Sequence, residues 1–144
     1  SPYYQYRSLS SPTSIRLLEL HAAETESDIL SFTLFEVDLD KCPYYETLSY
    51  EWGEPAGSVT ALCNGKPMLL TPNLKQAMIR IRSSLPRPDP SSNLAATNQG
   101  KILWIDAVCI NQASLPERSH QVSMMKQIYY EAKSTIFYLG PSNS

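Results

Sequence analysis

Apolar residues fall in short clusters along the chain, and the spacing within those clusters changes from one to the next. Residues 15–20 (IRLLEL) and 29–37 (ILSFTLFEV) are apolar and β-branched enough to predict strands. The polar HAAETESD between them predicts an antiparallel pair. Residues 46–50 (ETLSY) make a third strand, stopped by EWGEPAG. Residues 59–63 (VTALC) and 66–70 (KPMLL) flank Asn64-Gly65. Both of these residues tolerate φ > 0 in a type I′ turn, so a β-hairpin is predicted.

From residue 71 the spacing becomes helical. In TPNLKQAMIRIRSSL, Leu74, Ala77, Met78, Ile81 and Leu85 share one face of a 3.6-residue period. Thr71 before Pro72 fits an N-cap with proline at the first helical position, and Asn73 is a competing cap. Residues 86–101 are rich in Pro, Ser and Asn and predict a flexible surface loop. Residues 102–106 (ILWID) lack polar alternation, the pattern of a strand covered on both faces. A second helix follows over 114–132. Ser114 and Glu117 form an S-x-x-E capping box, and Val122, Met125, Ile128, Tyr129 and Ala132 make the buried stripe. STIFYLG (134–140) is again a continuous apolar strand. Strands alternating with helices predict crossovers and a parallel core.

Composition narrows the function classes. A length of 144 residues suits one domain, and 42% apolar with 18% charged residues is ordinary globular composition. A net charge of −2 and the absence of a basic cluster argue against nucleic acid as a partner. The densest cationic group, Lys75, Arg80 and Arg82, reads as one solvated helix face. Cys42, Cys63 and Cys109 are widely spaced with no C-x-x-C, which argues against a disulfide framework and a zinc site. No apolar run approaches the roughly 18 residues needed to span a bilayer. A cytoplasmic location is expected. The chain begins without Met and ends at LGPSNS. It is therefore expected to be a domain of a longer protein, with residues 1–14 an extended lead-in and 142–144 a tail.

Four blocks carry a family resemblance: YETLSYEWGEP, NGKPMLLTPNLKQAM, LWIDAVCINQASLPERSHQVSMMKQIYYEA and IFYLG. Their order and spacing resemble the heterokaryon incompatibility (HET) domain of filamentous fungi, over about residues 15–141. The resemblance implies an effector module of fungal non-self recognition that triggers programmed cell death. It implies protein partners, self-association, and further regulatory domains in the parent protein. HET domains are also distantly similar to TIR domains. That implies an α/β fold with a mostly parallel, flavodoxin/TIR-like central sheet flanked by helices. An N-terminal antiparallel strand pair and a β-hairpin insertion would be additions to it. Some TIR domains hydrolyse NAD with a glutamate on a helix after the third strand. That glutamate has no counterpart in these residues, so the resemblance leaves NAD as a candidate substrate without its catalytic acid. No cofactor or metal is otherwise implied.

In an open parallel sheet, ligands bind beyond the carboxyl ends of the strands. Three such ends are expected to share one rim: Tyr50-Glu51-Trp52-Gly53, Asp106 to Gln112, and Gly140-Pro141. Asp106 could act as a general base, or could accept backbone N–H groups of its own turn. Cys109 could be a nucleophile only with a base nearby, and otherwise is an inert thiol. Asn111 and Gln112 could bind a base or amide, or satisfy loop backbone. Glu117 could be catalytic, or simply cap its helix. Arg118 could grip a phosphate, or pair with Asp106. Trp52 could stack on an adenine or nicotinamide ring, or be a partly buried rim aromatic. Gly53 supplies a backbone conformation closed to other residues. Glu51 is the remaining rim acid. Two classes of function follow: a signalling and self-association module, or an NAD-cleaving hydrolase using Asp106, Glu51 or Glu117.

Overall fold

The computed structural model describes residues 1–53, 58–87 and 100–141. Strands β1 (Ser14–Leu20), β2 (Ser31–Asp38), β3 (Glu46–Tyr50), β4 (Val59–Cys63), β5 (Lys66–Leu70), β6 (Lys101–Trp104) and β7 (Ser134–Tyr138) form one sheet in the order β5-β4-β2-β1-β6-β3-β7. The helices are α1 (Pro72–Ser83), a single turn α2 (Asp106–Cys109) and α3 (Leu115–Glu131). Most of the proline-rich loop, 88–99, and the tail, 142–144, lie outside the described residues.

The sheet is mixed, which corrects the expectation of a mostly parallel one. β6, β3 and β7 run parallel, as do β2 and β4, whereas β1 is antiparallel to both β2 and β6 and the β4–β5 hairpin is antiparallel. The β1–β2 pair is therefore the middle of the sheet rather than an addition to it. The cause is in IRLLEL. Ile15, Leu17, Leu18 and Leu20 are all fully buried, on both faces of the strand. A strand so covered belongs inside a sheet. The hairpin supplies the sheet's far edge.

Local chemistry fixes the ends of the elements. Asn64 (φ 52°) and Gly65 (φ 80°) turn the hairpin. Thr71 caps α1, its hydroxyl accepting the Leu74 N–H at 3.2 Å. Ser114 Oγ accepts the Glu117 N–H at 3.3 Å to start α3. At the amino ends of the parallel strands Glu46 accepts from Lys101 Nζ (2.5 Å) and Ser134 Oγ (2.7 Å), tying β6, β3 and β7 together.

Side chains alternate across a strand. Tyr138 reaches Gln76 of α1, while Trp104, which shares a face with its partner Thr47, stands edge-on to Tyr129 of α3 at 5.7 Å. The two long helices thus cover opposite faces. Leu74, Ala77, Met78 and Ile81 of α1 are buried as their period predicts. The stripe of α3 is displaced: Val122 is 56% exposed, and Gln121 is buried in its place. Gln121 faces inward because its amide donates to Ser14 O at 3.1 Å. The predicted cationic face of α1 is also corrected. Arg82 is buried and donates to Glu26 O, Asp28 O and Ile29 O, closing the β1–β2 loop. No helix among the described residues is long and apolar enough to cross a membrane.

Candidate functional site

The strand-end rim is built as the parallel triplet requires. β6, β3 and β7 are neighbours, so Tyr50, Asp106 and Gly140 lie at one edge of the sheet. A cleft of about 460 Å³ runs between the ends of β3 and β7 and the start of α1, lined by Tyr50, Glu51, Asn73, Tyr138 and Gly140. Tyr50 and Trp52 stack with centroids 6.5 Å apart and planes 5° from parallel. Gly53 takes φ +70°, and a Cβ there would meet Asn73. Asn73 in turn donates its side-chain amide to Glu51 O, so α1 holds the chain leaving β3. The Glu51 carboxylate itself is exposed.

Asp106 opens the one-turn helix α2, half-buried behind this rim. Burial pushes its carboxyl above the usual carboxylate range, although backbone N–H groups of Asp106 and Ala107 pull the other way. The phenols of Tyr50 and Tyr129 are both pushed up, first by burial and then by the charge of Asp106. Nearby, the buried indole N–H of Trp104 has no partner among the described residues.

The rest of the polar loop serves its own backbone. Gln112 Nε2 donates to Asp106 O at 2.9 Å, and Asn111 Oδ1 accepts from Ala113 N at 3.2 Å. Cys109 is fully buried, and burial pushes its thiol up to about 12. A thiol so placed stays protonated at neutral pH. His120, the base it would need, instead meets Pro12 O at 2.6 Å.

Glu117 belongs to a different assembly. Its carboxylate accepts from Arg16 Nη1 (2.6 Å) and Nη2 (2.8 Å) and from Asn111 N (2.7 Å). Burial opposes its ionisation, yet these bonds and the Arg16 charge together hold its carboxyl below the usual range. Arg16 also donates to Cys109 O (3.0 Å) and Arg7 O (2.6 Å) and lies 5.0 Å from the Tyr6 ring centroid. One guanidinium thus joins the lead-in, β1, α2 and α3. The anticipated pairing of Arg118 with Asp106 is absent: Arg118 is exposed, and among the described residues it makes no ion pair.

The candidate acids therefore separate. Glu51 lines the β3–β7 cleft, Asp106 is half-buried at the start of α2, and Glu117 is locked to Arg16. Arg16 was the residue missed. Its signal was a lone cation in an apolar strand, which had to find a buried partner.

Residues 45–144 match the family model described as "Heterokaryon incompatibility protein (HET)". The chain belongs to the HET family. The HET domain here is also similar to "Heterokaryon incompatibility protein 6, OR allele" of Neurospora crassa, at 32% identity over 152 residues, covering 96% of the chain and 21% of that protein. The chain thus spans about a fifth of its relative's length. No solved structure matches it. The family match takes in LWIDAVCINQ, and so the whole rim.

Proposed function

We propose that this HET domain is a signalling and self-association module in fungal vegetative incompatibility, a non-self response that triggers programmed cell death. The observation that carries the reading is the open edge at β7. Among the described residues this strand ends the sheet, and its five residues contain no charge and no proline. Edge strands are normally protected by such residues, and an unprotected edge is a template for another strand. Phe137 is 70% exposed and Leu139 is 95% exposed beside it. A second copy pairing along β7 would extend the sheet and cover both side chains. The bound state of the internal polar loop fits a scaffold rather than a poised catalyst.

The test is to place Phe137→Lys with Leu139→Lys in the full-length parent protein and score cell death in a fungal host. Death abolished at unchanged protein level supports the module. Death unaffected by both lysines rejects the edge as its route.

A second reading, cleavage of a nucleotide such as NAD, is favoured by one observation. A half-buried acid whose pKa is raised by burial, at a strand-end rim, is a candidate signature of a functional site. NAD turnover by the purified domain, lost in folded Asp106→Asn, would support it, and the absence of turnover in the wild type would count against it.

A further inference from the structure

A larger cavity, about 650 Å³, lies away from the strand-end rim, under the N-terminal segment. That segment is strapped down at three points. Tyr4 N donates to Pro67 O (2.9 Å), Tyr6 Oη donates to Val108 O (2.6 Å), and Arg7 O accepts from Arg16 (2.6 Å). It roofs the space over β2 and the β4–β5 turn. The volume is in the range of small-molecule sites, roughly 300–1,000 Å³.

The lining has an uneven charge. Arg7, Arg16 and Lys66 contribute three cations, and Glu36 is the lone acid. The Glu36 carboxylate is already held by the hydroxyls of Ser10 and Ser14. Arg16 is neutralised by Glu117, which lies outside the lining. Arg7 and Lys66 are exposed at the mouth and make no ion pair among the described residues. Behind them stand the rings of Tyr4, Tyr6 and Phe35. A cleft of one net sign with low-dielectric walls concentrates ligands of the opposite sign.

We infer that this cavity binds a small ligand carrying an anionic group on a planar aromatic body. Arg7 and Lys66 take the anion through charge-assisted hydrogen bonds. The aromatic walls take the ring. Tyr6 and Arg16 are already committed to the fold, so the ligand is read by the mouth cations and by Tyr4 and Phe35.

The test is a ¹H–¹⁵N NMR titration of the domain with phenyl phosphate. Saturable shifts are expected at residues 4–7 and at Lys66. Affinity should fall at least about tenfold in Arg7→Ala with Lys66→Ala, a change that two lost charge-assisted bonds comfortably exceed. Arg118→Ala, an exposed cation absent from this lining, should leave affinity unchanged. Three results would each overturn the inference: no saturable shift, undiminished affinity in the double variant, or neutral phenol binding as tightly as phenyl phosphate. Inorganic phosphate binding as tightly as phenyl phosphate would remove the aromatic walls from the site and overturn it equally.

Discussion

Glu117→Gln isolates the interaction that holds the N-terminal segment, the central strand and α3 together. Arg16 is 4% exposed and its partner 11%, and both guanidinium nitrogens reach the carboxylate at 2.6 and 2.8 Å. Glutamine keeps the shape and one acceptor but removes the charge. The guanidinium is left buried and unneutralised, which costs about 3–5 kcal/mol when a buried pair is broken. The retained acceptor places the expected loss near the lower end, about 3 kcal/mol. For 144 residues that is a fall in Tm of roughly 10 °C. Thermal and urea denaturation of Glu117→Gln, Arg16→Met and the double variant make the assay. The double variant should lose less than the sum of the singles, because it leaves no unpaired charge. The pH dependence has a definite sign. Since the folded pKa of Glu117 is lowered, its contribution is present above the unfolded value of about 4.3 and is lost as pH falls through the folded value. The gap between wild type and Glu117→Gln should therefore close in acid. A loss below about 1 kcal/mol, as for an exposed pair, or strictly additive singles would refute the reasoning.

Three further outcomes are expected. Asp106 has a raised folded pKa, so it favours the fold most below its unfolded pKa and loses that contribution as pH rises through the folded one. Asp106→Asn should then melt higher than wild type at pH 7 and no higher in acid, as read by scanning fluorimetry across pH; a lower melting point at pH 7 would mean that the carboxylate organises the loop. Ser114→Ala removes the cap that receives the Glu117 N–H and should cost about 1 kcal/mol in urea unfolding. Gly53→Ala forces a side chain to φ +70° and should cost about 1–2 kcal/mol, with the far-ultraviolet circular dichroism unchanged.

Local patterns were legible in the sequence because they depend on neighbouring residues. The Asn64-Gly65 turn, the Thr71 cap and the helical period of α1 need no distant partner to form. The adjacency of β6, β3 and β7 was suggested by strands alternating with helices, the pattern of a parallel core, and by the continuous apolar composition of β6 and β7. The central position of β1 was harder to see. IRLLEL looks like one strand of an added pair until both faces of Leu17-Leu18 are seen to be covered. The inward turn of α3 was also hidden. Val122 fits the helical period better than Gln121, but Gln121 is selected by a hydrogen bond to Ser14, 107 positions away. Arg82 has the same character, a cation buried by three carbonyls of a distant loop. At the rim, residue types alone did not say which acids would meet. Glu117 lay within the right segment, yet Arg16, on another strand, draws it into a structural pair.

Sedimentation velocity of the domain over a range of concentrations, wild type beside Phe137→Lys with Leu139→Lys, tests the association module most directly. The account predicts a concentration-dependent dimer in the wild type and a monomer in the folded double variant. A wild type that stays monomeric throughout, or a double variant that dimerises equally, would contradict it.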